Sequence, residues 1–346
     1  MQAYSPQRDT ISIALVQEAL THAYSQGLDV AQLLKQAELD IECLKHPQNR
    51  ISTESFAQLW IHLADAMNDE FFGLDQHPMR RGSYKLISKL IYTRQNFQSA
   101  LLDILNALNL ILDDFQGHLE MDESYAKIII RDGDTPKSMF AYATYLMLIH
   151  TLLCWLVDQR VLIEKIEVRC PQPNYDLDYR IRFSPEIHYE CSENCIYFDL
   201  SYLSLKIKKT SQDWYTFIKN TPENLLVRFK NPSSLSYQIR YDLKNSAPEY
   251  WPELSYFAVQ FNMSDATLQR RLKNEGTHYQ QLKNEIRRDL AMQCLSLNDH
   301  SLEMISTTLG FHDVSAFSRA FKKWTGQTPG NYRQKQHLSS NIKSFK

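Results

Sequence analysis

Glycine is scarce, with nine in 346 residues, and no phosphate-cradling Gly-rich loop is written among them. Neither a G-x-S-x-G nucleophile elbow nor an H-E-x-x-H metal helix occurs. An enzyme reading therefore has no anchor, and no cofactor is implied. Cysteine is sparse too: Cys43, Cys154, Cys170, Cys191, Cys195 and Cys294 lie scattered along a long chain, and the opening MQAYSPQRDT lacks a basic start followed by an apolar core. Reduced thiols and a cytoplasmic location are expected. Only one long apolar run stands out. Met139 to Val157 carries no charge over nineteen positions, close to the roughly 20 that cross a bilayer. It contains Thr144, His150 and Thr151 and three polar-tipped aromatics, Tyr142, Tyr145 and Trp155. A buried core helix is expected there, with no membrane partner.

A net charge of one sign is also missing, but the formal value of -2 conceals a split. Residues 1 to 227 hold 21 Lys and Arg against 30 Asp and Glu, while residues 228 to 346 hold 17 against 10. An acidic body joined to a basic tail points to a polyanionic partner for the tail. At 43% hydrophobic and 23% charged, the composition is that of a globular chain, and the length suits about two domains.

The first hundred residues read as helices. Ile11 to Gln26 closes at Gly27, whose missing side chain suits a helix C-terminus. Asp29 caps Val30 to Ala37, and Ser52 caps a helix through Phe56, Leu59, Trp60, Leu63 and Met67. A fourth covers Phe97 to Phe115. The pattern then changes to short alternating or β-branched runs. His118 to Met121 and Tyr125 to Arg131 make a hairpin around Glu123 and Ser124; Lys165 to Cys170, Tyr179 to Phe183, His188 to Cys191 and Cys195 to Leu200 are further strands. From Thr221 to Pro252 four prolines among Asn and Ser mark a linker with one short helix near Leu235 to Leu243.

Everything from there to Tyr332 is helical in pattern, and it contains the same arrangement twice. In residues 252 to 276, Leu254, Phe257 and Ala258 share one helix face. Asn262 tolerates the left-handed conformation of a tight turn, and Ser264 caps a second helix with Leu268 and Leu272 inward. Its outward set is Ala266, Gln269, Arg270 and Lys273. Arg pairs bidentately with guanine and Gln with adenine in a major groove, where Ala meets a thymine methyl. A solvated face on a helical hairpin is the alternative. Residues 301 to 326 repeat the plan: Leu302, Ile305 and Leu309 inward, Gly310 at the turn, Asp313 as cap, Phe317, Phe321 and Trp324 on the buried edge. Val314, Ser315, Ser318, Arg319 and Lys322 lie outward. The candidate base readers are Ala266, Gln269, Arg270, Val314, Ser315, Ser318 and Arg319; the candidate phosphate contacts are Ser264, Lys273, Lys322 and Lys323. Between the repeats, Tyr279, Leu282, Ile286, Leu290, Gln293 and Leu297 predict one straight helix over 278 to 296. Its length of about 28 Å approaches the roughly 34 Å between major-groove faces on one side of a duplex.

MSDATLQRRLKNEG, then GFHDVSAFSRAFKKWTG, then Thr328, Pro329, Tyr332 and Arg333 follow in order and at family spacing, and this segment resembles the double helix-turn-helix module of AraC/XylS bacterial transcription regulators. Asn262 stands where Gly is usual and Ser306 where Ala is usual; both are small enough to keep the fold. GLDVAQLLKQAEL at 27 to 39, RIS at 50 to 52, Phe56, Trp60 and Phe72 to Leu74 resemble the arabinose-binding-like effector domain that accompanies this module in regulators of amino-acid, alkane or virulence pathways. The resemblance implies an activator that binds double-stranded DNA, a small-molecule effector and RNA polymerase, and that forms a homodimer.

The expected fold is an α+β domain followed by an all-α domain with two helix-turn-helix units. The expected division is 1–225 for effector binding and dimerisation, 226–247 for the linker, 248–336 for the DNA-binding module and 337–346 for a tail. Three further features are weighed against function. CSENC with His188 offers a metal corner or redox pair, but a closed zinc site needs four ligands and two ordinary strand-end cysteines are favoured, with no metal expected. His150 is favoured as a core histidine. A fused DNA-repair enzyme needs an activated cysteine, whereas Cys43 sits among Glu38, Asp40 and Glu42, which raise its pKa. A ligand-independent architectural protein is the remaining alternative.

Overall fold

The computed structural model describes residues 10–47, 49–123, 125–219, 221, 235–275, 277–296 and 300–334. Ser124 at the expected hairpin tip, Leu297, Pro222 and Pro232 of the linker, and the tail at 337–346 lie outside the described residues. The chain forms two units, with the division falling at Phe229 and Lys230.

In the first unit, β1 (Thr10–Ser12) leads into α1 (Ile13–Ser25), followed by α2 (Val30–Gln36), β2 (Arg50–Ser52), α3 (Thr53–Met67), α4 (Ser83–Ile91) and α5 (Phe97–Ile111). The expected caps form: Asp29 accepts from the Gln32 N–H and Ser52 from the Ser55 N–H. Each supplies a side-chain acceptor to a helix N-terminus that has none of its own. The first helix starts later than its apolar run suggests, because Thr10–Ser12 pairs antiparallel with Arg50–Ser52. Arg50 secures that pairing by donating to the Thr10 carbonyl at 2.7 Å and to Asp178 at 2.5 Å.

Five strands make the main sheet: β3 (Gln116–Met121), β4 (Tyr125–Arg131), β5 (Lys165–Glu167), β6 (Ile187–His188) and β7 (Asn194–Asp199), in spatial order β3-β4-β7-β5-β6. The hairpin of β3 and β4 pairs as read from the sequence, and among the described residues only β5 with β6 is parallel. One sheet face carries Ile128, Ile196 and Phe198 against α6 (Met139–Val157). Helices α1 and α5 also contact α6. It is long and apolar enough to cross a membrane, and it is buried along nearly its whole length inside this unit. A small cavity of about 10 Å³ remains between α6 and the sheet, room for about one water.

Tyr179 to Phe183 is not a strand; α7 (Leu177–Arg182) is a helix. Tyr179 and Phe183 alternate with Ile181 as strand residues do, but four apart they also share one helical face, and both are buried. The Asp176–Arg180 ion pair at 2.7 Å adds an i, i+4 contact. A further helix, α8 (Ser211–Lys219), covers α4 with Trp214 and Phe217; Trp214 Nε1 donates to Ser88 Oγ at 2.9 Å.

Among the described residues the second unit holds helices α9 (Leu235–Lys244), α10 (Leu254–Gln260), α11 (Asp265–Asn274), α12 (Tyr279–Ser296), α13 (Leu302–Thr308) and α14 (Val314–Thr325), with a 3-10 turn at Pro248–Tyr250. The short helix expected inside the linker, α9, packs on α11 and α12 and buries Ile239 and Leu243 in the core of this unit.

Candidate nucleic-acid interface

The first reader is α10, a turn and α11. Asn262 takes φ 54°, the left-handed conformation that reverses the chain, and the Met263 N–H closes the turn on the Ala258 carbonyl at 2.9 Å. Ser264 Oγ caps α11 by accepting from the Thr267 N–H at 3.3 Å. Leu268 and Leu272 are 0% exposed, so rotation of α11 about its axis is fixed. Ala266, Gln269, Arg270 and Lys273 are left exposed.

The second reader is α13, a turn and α14. Gly310 takes φ 69°, and the Phe311 N–H bonds the Ser306 carbonyl at 2.9 Å. Asp313 Oδ1 accepts from the Ala316 N–H at 2.6 Å. Phe317 and Phe321 are 0% exposed, whereas Trp324 is half-buried. Ser315, Arg319, Lys322 and Lys323 are exposed, with Val314 and Ser318 half-buried beside them. Ser306 is buried with its hydroxyl donating to the Glu303 carbonyl at 2.8 Å, so the polar substitute is accommodated within its own helix. Tyr332 packs edge-on against Phe321, and Arg333 donates to the His300 carbonyl at 2.7 Å.

Aligning the buried pair Leu268 and Leu272 with Phe317 and Phe321 places Arg270 on Arg319, Lys273 on Lys322, Gln269 on Ser318 and Ala266 on Ser315. The two readers differ in the turn, which is one residue longer in the second. Among the described residues, none of Arg270, Lys273, Arg319, Lys322 and Lys323 forms an ion pair. The cations face solvent uncompensated, as an edge that meets phosphate and base edges requires. Arg271, also exposed on α11, adds a cation that the helical-wheel reading did not select.

Helix α12 has 18 residues, a rise of about 27 Å. Tyr279, Leu282 and Ile286 are buried with the first reader, and Ala291, Met292, Cys294 and Leu295 are buried further along. The helix contacts both α13 and α14. Its period is therefore not one straight apolar stripe, because the two halves serve different neighbours.

The other chemistry weighed in the sequence has ordinary partners. His150 Nε2 lies 2.7 Å from the Val161 carbonyl. Cys191 Sγ donates to the Tyr189 carbonyl, Cys195 is buried in β7, and no group of three or more potential metal ligands comes together among the described residues. Burial first and Asp40 second push the Cys43 thiol above its ordinary range, whereas the sequence reading credited its acidic neighbours alone.

An α+β unit followed in the chain by a helical unit with two capped readers is the architecture of a DNA-binding regulator. The arabinose-binding domain of AraC transcription regulators, N-terminal part, matches residues 27–207, and a helix-turn-helix domain matches residues 257–335. The chain belongs to the AraC-type transcription regulators. It is similar to the ornithine utilization regulator of Pseudomonas aeruginosa, with 24% identity over 94% of this chain and 97% of that protein. It is 32% identical to the HTH-type transcriptional regulator VqsM of the same organism, over 27% of this chain and 29% of that protein. The crystal structure of the regulator CdpR from Pseudomonas aeruginosa aligns with 92% of this chain and 98% of its own, at 19% identity and a TM-score of 0.29.

Proposed function

We propose that this regulator is an activator that reads two successive major-groove segments of double-stranded DNA, one with each reader. Ala266, Gln269, Arg270, Val314, Ser315, Ser318 and Arg319 contact bases, and Ser264, Lys273, Lys322 and Lys323 contact phosphates. Ser264 does so by donating its hydroxyl proton to a phosphate oxygen, its oxygen serving as acceptor in the cap of α11. The observation that carries this reading is the coincidence of Arg270 with Arg319 and of Lys273 with Lys322 on the exposed edges of two equivalent helices. In-vitro selection of duplexes by the full chain, followed by footprinting, tests it. Two protected segments about one helical turn apart are expected; no enrichment over random sequence sinks it.

Residues 1–225 bind a small molecule and dimerise, and DNA-bound regulator recruits RNA polymerase in the cytoplasm. No enzymatic activity is proposed. The packing of α9 supports a linker shorter than 226–247, with the DNA-binding module beginning at Leu235 and ending by 336 before a tail. Ornithine and related basic amino acids are the first effectors to screen, because the relative similar over nearly the whole chain is named for ornithine utilization. A ligand that binds only the native unit raises its melting temperature. Equal promoter output with and without that ligand would instead favour a ligand-independent architectural protein.

A further inference from the structure

The two readers have separate apolar centres. Leu268 and Leu272 belong to a cluster with Trp251, Phe257 and Ile286, and that cluster does not take in Phe317 or Phe321. Across the seam between them, one side chain of α12 touches both sides. The Arg287 guanidinium lies 5.0 Å from the ring centre of Trp251 and 5.5 Å from that of Phe311, and its Nε donates to the Leu309 carbonyl at 2.9 Å.

Each ring is itself fixed. Trp251 Nε1 donates to the Leu243 carbonyl of α9 at 2.7 Å. Phe311 packs on Phe317 and Trp324 of the second reading helix, with ring centres 5.7 and 5.8 Å away. A continuous path of contacts therefore runs from α9 through Trp251, Arg287 and Phe311 to α14. The seam is tight: a Cβ added at Gly310 would sit 3.4 Å from the Pro248 carbonyl oxygen and 3.6 Å from Arg287 Nη2. A planar guanidinium offers two faces to rings and an edge donor at once, which neither an ammonium nor an apolar side chain provides.

We infer that Arg287 is a positioning residue that fixes the separation and angle of the two readers, and with them the half-site spacing the regulator accepts. The inference rests on the proposed reading that both readers engage one duplex. One added base pair moves the second segment by about 3.4 Å and turns it by about 35°. A rigid seam rejects that displacement, and a loosened one follows it.

The experiment uses the full chain and duplexes it selects from a random pool, with the native spacer and with one base pair added or removed. Wild-type protein is expected to lose about tenfold or more in affinity on either altered spacer. Arg287→Met keeps the apolar stem without the planar cation. It is expected to bind a single isolated segment like wild type, to bind the native spacer several-fold more weakly, and to discriminate spacers by no more than about threefold. Phe311→Leu removes a ring face while leaving Arg287 in place, and the same loosening is expected; it carries the test if the first variant does not fold. Unchanged spacer discrimination in a folded variant overturns the inference. A wild-type footprint on one segment alone overturns the two-reader reading instead, and is visible before any variant is compared.

Discussion

Glu275, the C-cap of α11, holds the beginning of α9 forty residues earlier: its carboxylate accepts the Leu235 N–H at 3.0 Å and the Ser236 N–H at 2.8 Å. Two orphan donors of one helix are thus satisfied from the far end of the first reading helix. Glu275→Ala is expected to destabilise the second unit by about 1 kcal/mol, and Glu275→Gln by less, since one acceptor oxygen survives. Thermal melts of the two variants check this. Equal melting of Glu275→Ala and wild type would mean that water replaces the cap at no cost.

The equivalence of the two readers predicts parallel losses. Arg270→Ala and Arg319→Ala are each expected to weaken binding to a selected duplex by about 1 to 3 kcal/mol and to relax preference at one or two base positions. Lys273→Ala and Lys322→Ala are expected to lower the salt dependence of binding by about one phosphate contact each and to leave sequence preference alone. Titrations at several salt concentrations separate the two behaviours. Arginine variants that changed only the salt slope would place those side chains on the backbone.

Gly117 predicts an overpacking effect in the first unit. Asn109 holds both its backbone groups, accepting from the Gly117 N–H at 2.7 Å and donating to its carbonyl at 2.9 Å. A Cβ there would lie 2.3 Å from the Tyr145 hydroxyl and 2.7 Å from a Leu105 methyl. Gly117→Ala is expected to cost about 1 to 3 kcal/mol. Adding Tyr145→Phe, which removes the nearest atom, is expected to restore part of that. A double-mutant cycle with no coupling would show that the strand shifts as a whole.

Glu18 predicts a pH effect. Burial raises its carboxyl above the ordinary value, only partly opposed by the hydroxyl donated from Tyr179 at 2.7 Å. Between the unfolded value and the raised one the native state binds more protons than the unfolded state, so the contribution of Glu18 to stability falls as pH rises through that window. Glu18→Gln keeps an acceptor for Tyr179 without the charge. Its melting temperature is expected to decline less than that of wild type above about pH 4.5. Parallel melting curves for the two proteins across that range would refute the assignment.

Much of the fold was legible because its signals are local. Ser264, Asp313, Asp29 and Ser52 each accept from a backbone N–H three residues on, a contact that depends on no distant part of the chain. Asn262 and Gly310 marked their turns for a similar reason, since few residues adopt a positive φ. The apolar spacing of Leu268 with Leu272 and Phe317 with Phe321 then set which edges face outward. Where a pattern suited two structures, the reading failed: Tyr179, Ile181 and Phe183 alternate like a strand, and only packing against the rest of the unit selects the helix. Thr10–Ser12 likewise became a strand because Arg50–Ser52 was available to pair with it.

By itself, then, the sequence determined the helix caps, the turns, the buried stripes and the two exposed basic edges, all of which arise within a few residues of chain. Tertiary structure decided the order of the sheet, the inclusion of α9 in the helical unit, the hold of Glu275 on Leu235 and the place of Arg287 between Trp251 and Phe311. Apart from the β3–β4 hairpin, these join segments more than 20 residues apart. No periodicity encodes such pairings, because each depends on which surfaces meet once the chain has collapsed.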